Sequence, residues 1–261
     1  MTDTVTFDSF VPYTFQAFTL SDRGRIRQTN EDRALVDLEN NLFVLCDGVG
    51  GQAAGHIAAQ AVVEFLPRLI LHKLPIDEPA TPEEIQSGIK ETVLRISRQL
   101  VDASTNQIGM KGMGTTLALV WMRGATAYLV HMGDSRIYLM RGNQLKQMTE
   151  DHSVVTLLIK SGEIRPEQAR SHPAHGRLSR YMGMEGDVYP DVGTLEICKG
   201  DRFLLCSDGL TDMVPDEEIA AVLNVNPTPA AACRALIGLA NAHGGKDNIT
   251  ALVVNVSISQ D

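Results

Sequence analysis

The sequence is poor in cysteine, in aromatic residues and in basic charge. Its four cysteines, Cys46, Cys198, Cys206 and Cys233, form no C-x-x-C pair, which argues against a zinc knot or a dithiol redox site. Cys46 and Cys206 each end an apolar run, so they read as buried thiols suited to a reducing compartment. Lysine and arginine number 23 against 32 aspartates and glutamates, a formal net charge of −9. That balance disfavours a nucleic-acid partner, whose phosphates attract basic surfaces. No apolar run approaches the roughly 18 residues that span a bilayer. The start, MTDTVTFDSF, is acidic and polar and lacks the basic and apolar regions of a signal peptide. Repeats and low-complexity segments are also missing. These absences give the expectation of a cytoplasmic chain without a membrane or nucleic-acid partner.

What is present is an ordinary globular composition: 261 residues, 44% hydrophobic and 21% charged, enough for one sizeable core. Residues 1–12 read as a loose start. Alternation over Thr14 to Ser21 predicts a strand, and Arg33 to Leu38 and Leu42 to Cys46 predict two more across a turn at Glu39-Asn40-Asn41. Apolar spacing turns helical from Gly55 to Lys73, and a second helix runs from Pro82 to about Leu100 with Thr81 as its cap. Strands return at Gly114 to Trp121, Ala125 to His131 and Arg136 to Met140. Ser153 caps a helix through Lys160, and residues 161–187, with no clear period, read as an irregular flap. A strand at Asp201 to Cys206, helices near 216–223 and 228–242, and a closing strand from Asn248 to Val256 complete the chain. Strands and helices come in clusters and do not alternate as βαβ units. The expectation is therefore an α+β fold, a sandwich of two mostly antiparallel sheets flanked by pairs of helices, in four layers α-β-β-α.

Carboxylates recur at the ends of these strands. Leu42-Phe-Val-Leu-Cys-Asp47-Gly48 and Phe203-Leu-Leu-Cys-Ser-Asp208-Gly209 share one shape, an apolar strand delivering Asp-Gly at its mouth. Glu31 and Asp32 precede another strand, and Asp247 precedes the last. Taken singly, each Asp-Gly is a turn signal. Together, such carboxylates repel one another unless a counter-charge intervenes. All of the candidate ligands are oxygens, which suits Mg²⁺ or Mn²⁺ rather than zinc or copper. Asp134, in His131-Met-Gly-Asp134-Ser-Arg136, fits the same set or a hairpin turn with an Asp–Arg pair. Arg27 lies five residues before Asp32; its guanidinium can clamp two phosphate oxygens, or it is one of three solvated arginines with Arg23 and Arg25.

In order, Arg27-Ile-Arg-Gln-Thr-Asn-Glu-Asp32, Asp47-Gly-Val-Gly-Gly51, Gly114-Thr-Thr, Gly133-Asp-Ser-Arg136, Ser207-Asp-Gly-Leu210 and Asp247-Asn-Ile-Thr250 resemble the motifs of the metal-dependent protein phosphatases, the PPM or type 2C Ser/Thr family, in its bacterial single-domain form. The likeness runs from about residue 18 to 256, so residues 1–261 read as one such domain. It implies a binuclear Mn²⁺ or Mg²⁺ centre, with Asp47 bridging both ions. Asp208 and Asp247 would bind the first ion, and the Gly48 carbonyl would join Asp47 at the second. Glu31 and Asp32 would bind directly or through water, and Asp134 with Asp208 would hold a third, weaker ion. Arg27 would hold the substrate phosphate, and 161–187 would be the family's variable flap. The implied reaction is in-line attack of an activated water on phosphoserine or phosphothreonine in proteins, by a monomer that opposes a bacterial Ser/Thr kinase.

The likeness is incomplete at one point. Val49 and Gln52 stand where relatives carry histidine, which leaves the proton donor to the leaving oxygen unassigned between His56, His152, His172, His175 and a metal-bound water. Other phosphate chemistries fail on their motifs, since Cys-x5-Arg, G-x-x-x-x-G-K-[ST] and G-x-S-x-G are absent. Gly48-Val-Gly-Gly-Gln-Ala53 mimics a dinucleotide fingerprint. However, Asp47 beside it would repel a pyrophosphate, and the surrounding strands form a meander rather than a βαβ unit. A binding module that keeps the fold without turnover is the remaining alternative. The full set of aspartates speaks for catalysis.

Overall fold

The strand β3 (Leu42–Cys46) shows how the layers arise, because all five of its residues are fully buried. Side chains of a strand alternate between its faces. Leu42, Val44 and Cys46 therefore enter a core beneath two helices, while Phe43 and Leu45 enter a core between two sheets. The last strand, β12 (Ile249–Ile258), divides in the same way. Ile249, Ala251 and Val253 face a second helix pair, and Leu252, Val254 and Val256 face the central core. A strand buried on both faces has no polar side and reads as a continuous apolar run.

A computed structural model describes residues 13–50, 54–106, 112–186 and 188–259. The start over 1–12, and Gly51 and Gln52, lie outside the described residues. One five-stranded sheet has the order β1 (Tyr13–Asp22), β12, β11 (Arg202–Cys206), β8 (Arg136–Arg141), β9 (Gln144–Gln147). The other runs β10 (Asp191–Glu196), β7 (Thr126–Met132), β6 (Leu117–Arg123), β3, β2 (Arg33–Asp37). Every pairing is antiparallel. A two-stranded ribbon joins β4 (Gly48–Val49) to β5 (Gly114–Thr115). α1 (Ala54–Lys73) and α2 (Pro82–Asn106) cover the β3 sheet, and α5 (Asp216–Val225) and α6 (Pro229–Ala242) cover the β12 sheet. The expected four layers are present.

Helix starts follow their caps. Thr81 accepts the Glu84 N–H, and Glu84 accepts the Thr81 N–H in return, a capping box at the head of α2. Ser153 accepts from Thr156 N–H and starts α3 (Val154–Lys160). By length and composition α1 would suffice to cross a bilayer, with a mean hydropathy of 1.2, although no apolar run in the sequence suggests it. Half of that stretch is buried against the β3 sheet, the place of a core helix.

Several boundaries differ from the expectation. The strand expected over Gly114 to Trp121 breaks at Thr116, which leaves the ladder to bond Asp47. α2 continues past Leu100 to Asn106. Strands β9 and β10 went unpredicted because each is largely exposed, carries polar residues and has no apolar run to mark it. Among its described residues, the flap contains one 3-10 helix, Pro166–Ser171.

Register then gathers the chemistry. Arg33 pairs with Cys46, and Cys206 pairs with both Arg136 and Ala251. The turns carrying Asp32, Asp47, Asp134, Asp208 and Asp247 therefore all leave the sandwich at one end.

Candidate metal centre

Asp47 is held by its backbone, which frees its side chain. Its N–H donates to Thr116 Oγ1 at 2.8 Å, and its carbonyl accepts from Thr116 N–H and Thr115 Oγ1, each at 2.8 Å. Asp32 is 2% exposed and ties the two sheets together. Its Oδ2 accepts from Ser207 Oγ at 2.8 Å and from Thr250 Oγ1 at 2.6 Å, while its Oδ1 has no partner. Asn248 fastens the loop that precedes it. The Asn248 side-chain amide donates to the Arg23 and Thr29 carbonyls at 3.0 and 2.8 Å, and its Oδ1 accepts the Glu31 N–H at 2.9 Å.

Asp208 begins α4 (Asp208–Thr211), a single turn packed on the start of β12. Gly209 makes that approach possible: a Cβ there would come within 2.0 Å of the Asn248 carbonyl oxygen. The neighbouring Asp247 uses Oδ1 to accept the Asn248 N–H at 2.7 Å and Oδ2 to accept Arg27 Nη2 at 2.6 Å. Arg27 is thus tied to the cluster while its side chain stays exposed. Burial works against its charge, but Asp247, and behind it Asp208 and Asp47, more than offset this and raise its pKa.

The carboxylates sense one another. Burial first, then the charges of Asp32, Asp208, Asp134 and Asp247, push the Asp47 carboxyl well above its ordinary range. Asp208 is driven the same way by burial and by Asp134, Asp247, Asp212 and Asp32, and its Oδ1 is sealed without a hydrogen-bond partner. Burial lifts Asp32 to about 6, and burial together with Asp151 lifts Asp134 to about 7. Arg136 turns its hydrogen bonds to Asp151 in a two-pronged pair (Nε to Oδ1 2.8 Å, Nη2 to Oδ2 2.7 Å), so its charge offsets the rise at Asp134 only in part. Asp134, Asp208 and Asp212 line one cavity of about 260 Å³. Recessed carboxylates with orphaned oxygens and mutual repulsion are what a hard divalent cation relieves, and an all-oxygen set fits Mg²⁺ or Mn²⁺.

The flap leans over this cavity. Arg170 Nη2 donates to the Thr211 carbonyl at 3.2 Å, and His175 Nε2 lies 3.6 Å from Asp212 Oδ1. His172 accepts the Ala174 N–H within its own turn, and His56 is half-buried in α1. Val49 stands in β4.

All eight expected residues (Arg27, Glu31, Asp32, Asp47, Gly48, Asp134, Asp208 and Asp247) come to this one end of the sandwich. Sequence reasoning missed Asp212, one helical turn after Asp208; that i, i+4 spacing was the available signal. It also missed Ser207 and Thr250, whose hydroxyls hold Asp32, and Asp151, which holds Arg136. Those partners are remote in sequence, so no local pattern announces them. A larger groove, about 690 Å³, runs between β2 and α1, but its carboxylates, Asp37, Glu39 and Glu64, are half-buried or exposed rather than recessed.

Residues 25–236 match the family model of protein phosphatase 2C. The serine/threonine phosphatase stp of Listeria monocytogenes serotype 4b (strain F2365) is 37% identical over 244 residues, covering 92% of this chain and 95% of that one. The serine/threonine phosphatase PstP/Ppp of Mycobacterium tuberculosis superposes with a TM-score of 0.80 at 36% identity, over 93% of this chain and 99% of the other. The PstP catalytic domain in complex with two manganese ions gives a TM-score of 0.76 at 36% identity, over 94% and 99%.

Proposed function

This chain belongs to the protein phosphatase 2C family and is a metal-dependent serine/threonine protein phosphatase of phosphoproteins; from that premise we propose how its own residues serve the reaction. The residues that would hold two divalent cations, Mn²⁺ or Mg²⁺, are Asp47 for both, Asp208 and Asp247 for one, and the Gly48 carbonyl with Asp47 for the other; Glu31 and Asp32 would support the second, and Asp134 with Asp208 would hold a third, weaker ion. The observation that carries this reading is the pair Asp47 and Asp208, recessed and mutually repelling, with the Asp208 Oδ1 orphaned. Bound there, the cations supply Lewis acidity and neutralise charge, which lets a water attack a phosphate monoester near neutral pH.

Arg27 is the anion clamp. In this structure it donates to Asp247, and its side chain is 57% exposed, so it can swing to a phosphate once Asp247 is engaged elsewhere. A guanidinium meets two phosphate oxygens at once and orients the phosphorus for in-line attack. Arg170 and His175 of the flap face the same space and bound the path of the peptide.

The pairing of β1 with β12 joins the first and last described strands in one sheet, which supports reading 1–261 as one domain. We read that domain as monomeric and cytoplasmic, opposing a Ser/Thr kinase. The test is hydrolysis of p-nitrophenyl phosphate and of a phosphothreonine peptide with EDTA, Mg²⁺ or Mn²⁺. Turnover that requires a divalent cation is expected. Folded protein inactive in all three would overturn the assignment and favour a non-catalytic binding module.

A further inference from the structure

A polar cluster behind Asp134 has no part in the reaction as described. His131 is the penultimate residue of β7 and His152 precedes α3; both are buried, at 2% and 5% exposure, with ring centroids 4.2 Å apart. Burial keeps both imidazoles neutral, pushing His131 down to about 3 and lowering His152 as well. One ligand atom each from His131, His152 and Asp191 lie within 4.8 Å of one another, a spacing that would suit a cation.

The hydrogen bonds of His152 assign a different role. Its Nδ1 accepts the Gly133 N–H at 3.1 Å, so the proton of the neutral ring is on Nε2, from which it donates to Asp191 Oδ2 at 3.0 Å. A cation on Nε2 would force that proton onto Nδ1, donor against donor at the Gly133 amide. Arg180 packs against His152 and Asp191: it donates to Asp191 Oδ1 at 2.9 Å and to the Tyr189 carbonyl at 2.6 Å, and its Nη2 lies 2.5 Å from His152 Nε2, so that Asp191 Oδ2 accepts between two crowded donors while the Gly133 N–H keeps Nδ1 the acceptor. His152 also grips Gly133 from the other side, its backbone N–H donating to the Gly133 carbonyl at 2.7 Å.

Gly133 has φ +115°, and a Cβ there would fall 2.6 Å from Thr116. Two residues on, Ser135 shares a 2.7 Å hydrogen bond with Thr116, the residue that holds the Asp47 N–H. The Gly133–Ser135 turn is therefore bound to the Asp47 strand end on one side and to His152 on the other, with Asp134 between the two.

We propose that His152, held in one tautomer by Asp191, is a positioning residue that clamps the Gly133 peptide and so sets the direction in which Asp134 enters the acidic cavity. This rests on the role given to Asp134 above. Partners of this outer kind alter activity or metal affinity by about 10–100-fold when removed.

The test is a double-mutant cycle with a metal-free readout. Asparagine carries an acceptor oxygen near the place of Nδ1, so His152→Asn keeps the clamp and His152→Ala loses it. In metal-free protein, hydrogen exchange at the Gly133 amide should be slow in wild type and His152→Asn and fast in His152→Ala. With cation present, His152→Ala should lower kcat about 10-fold with an unchanged peptide KM, and His152→Asn should restore most of it. Added to Asp134→Ala, His152→Ala should cost nothing more. If His152→Ala does not fold, Asp191→Ala, at an exposed strand end, enters the same cycle. Independent, multiplying losses, or an asparagine variant no better than alanine, would overturn the clamp alone. An Asp134→Ala variant with wild-type activity would overturn both the clamp and the role of Asp134.

Discussion

Replacing Asp32 by asparagine should stabilise the metal-free protein at neutral pH and leave it unchanged in acid. The Asp32 Oδ2 accepts from Ser207 and Thr250, while its Oδ1 is buried without a partner. An asparagine keeps one oxygen for the two hydroxyls and places an N–H₂ group where the orphaned oxygen was, near Asp47. Burial raises the Asp32 pKa from its ordinary 3.8 to about 6 in the fold. A carboxyl whose folded pKa is raised contributes its stability below the unfolded pKa and loses it as pH climbs through the folded value. The loss therefore runs from about pH 4 to pH 6–7 and is complete at pH 8. At about 1.4 kcal/mol per pH unit it amounts to about 3 kcal/mol. For a chain of this size that corresponds to about 6–12 °C in Tm. The assay is thermal and urea unfolding of wild type and Asp32→Asn in EDTA between pH 4.5 and 8.5. The curves should coincide at the acid end and separate towards pH 8, with the variant more stable. Added Mn²⁺ should close the gap by favouring the ionised cluster through mass action. A constant gap across the pH range, or no gap at pH 8, would refute the claim that this carboxylate is held against its own charge.

Three further outcomes test the site. Asp208→Asn should reduce turnover by about 10³-fold or more in saturating Mn²⁺ while far-UV circular dichroism stays native, since it removes one charged cation ligand; wild-type activity would sink its assignment. Arg27→Ala should raise the KM for a phosphothreonine peptide by about 10–100-fold, the worth of a charge-assisted clamp, with less effect on kcat; steady-state kinetics that show a pure kcat defect would contradict it. Gly209→Ala should lose both activity and stability, by more than about 2 kcal/mol in urea unfolding, because its Cβ would sit 2.0 Å from the Asn248 carbonyl and force Asp208 away from Asp247.

The sequence alone determined the layers and singled out the candidate donors. Runs such as Leu42–Cys46 and Phe203–Cys206 are apolar on both faces, so they had to be central strands, and strands in clusters had to pair antiparallel beneath covering helices. The oxygen-only candidates at strand ends, and the motif order that resembles the phosphatase family, were legible for the same reason: each is a local pattern of a few residues. β9 and β10 were not legible, because exposed edge strands owe their form to a neighbour rather than to their own period. Tertiary structure alone decided who holds whom. Arg136 pairs with Asp151 and not with the adjacent Asp134, Asp32 is held by hydroxyls more than 170 residues away, and Arg27, though exposed, bonds Asp247 across 220 residues of sequence. Those choices follow from strand register, which puts distant turns at one end of the sandwich. Burial there, a property of the whole fold and of no single segment, turns ordinary aspartates into a cluster that calls for a cation.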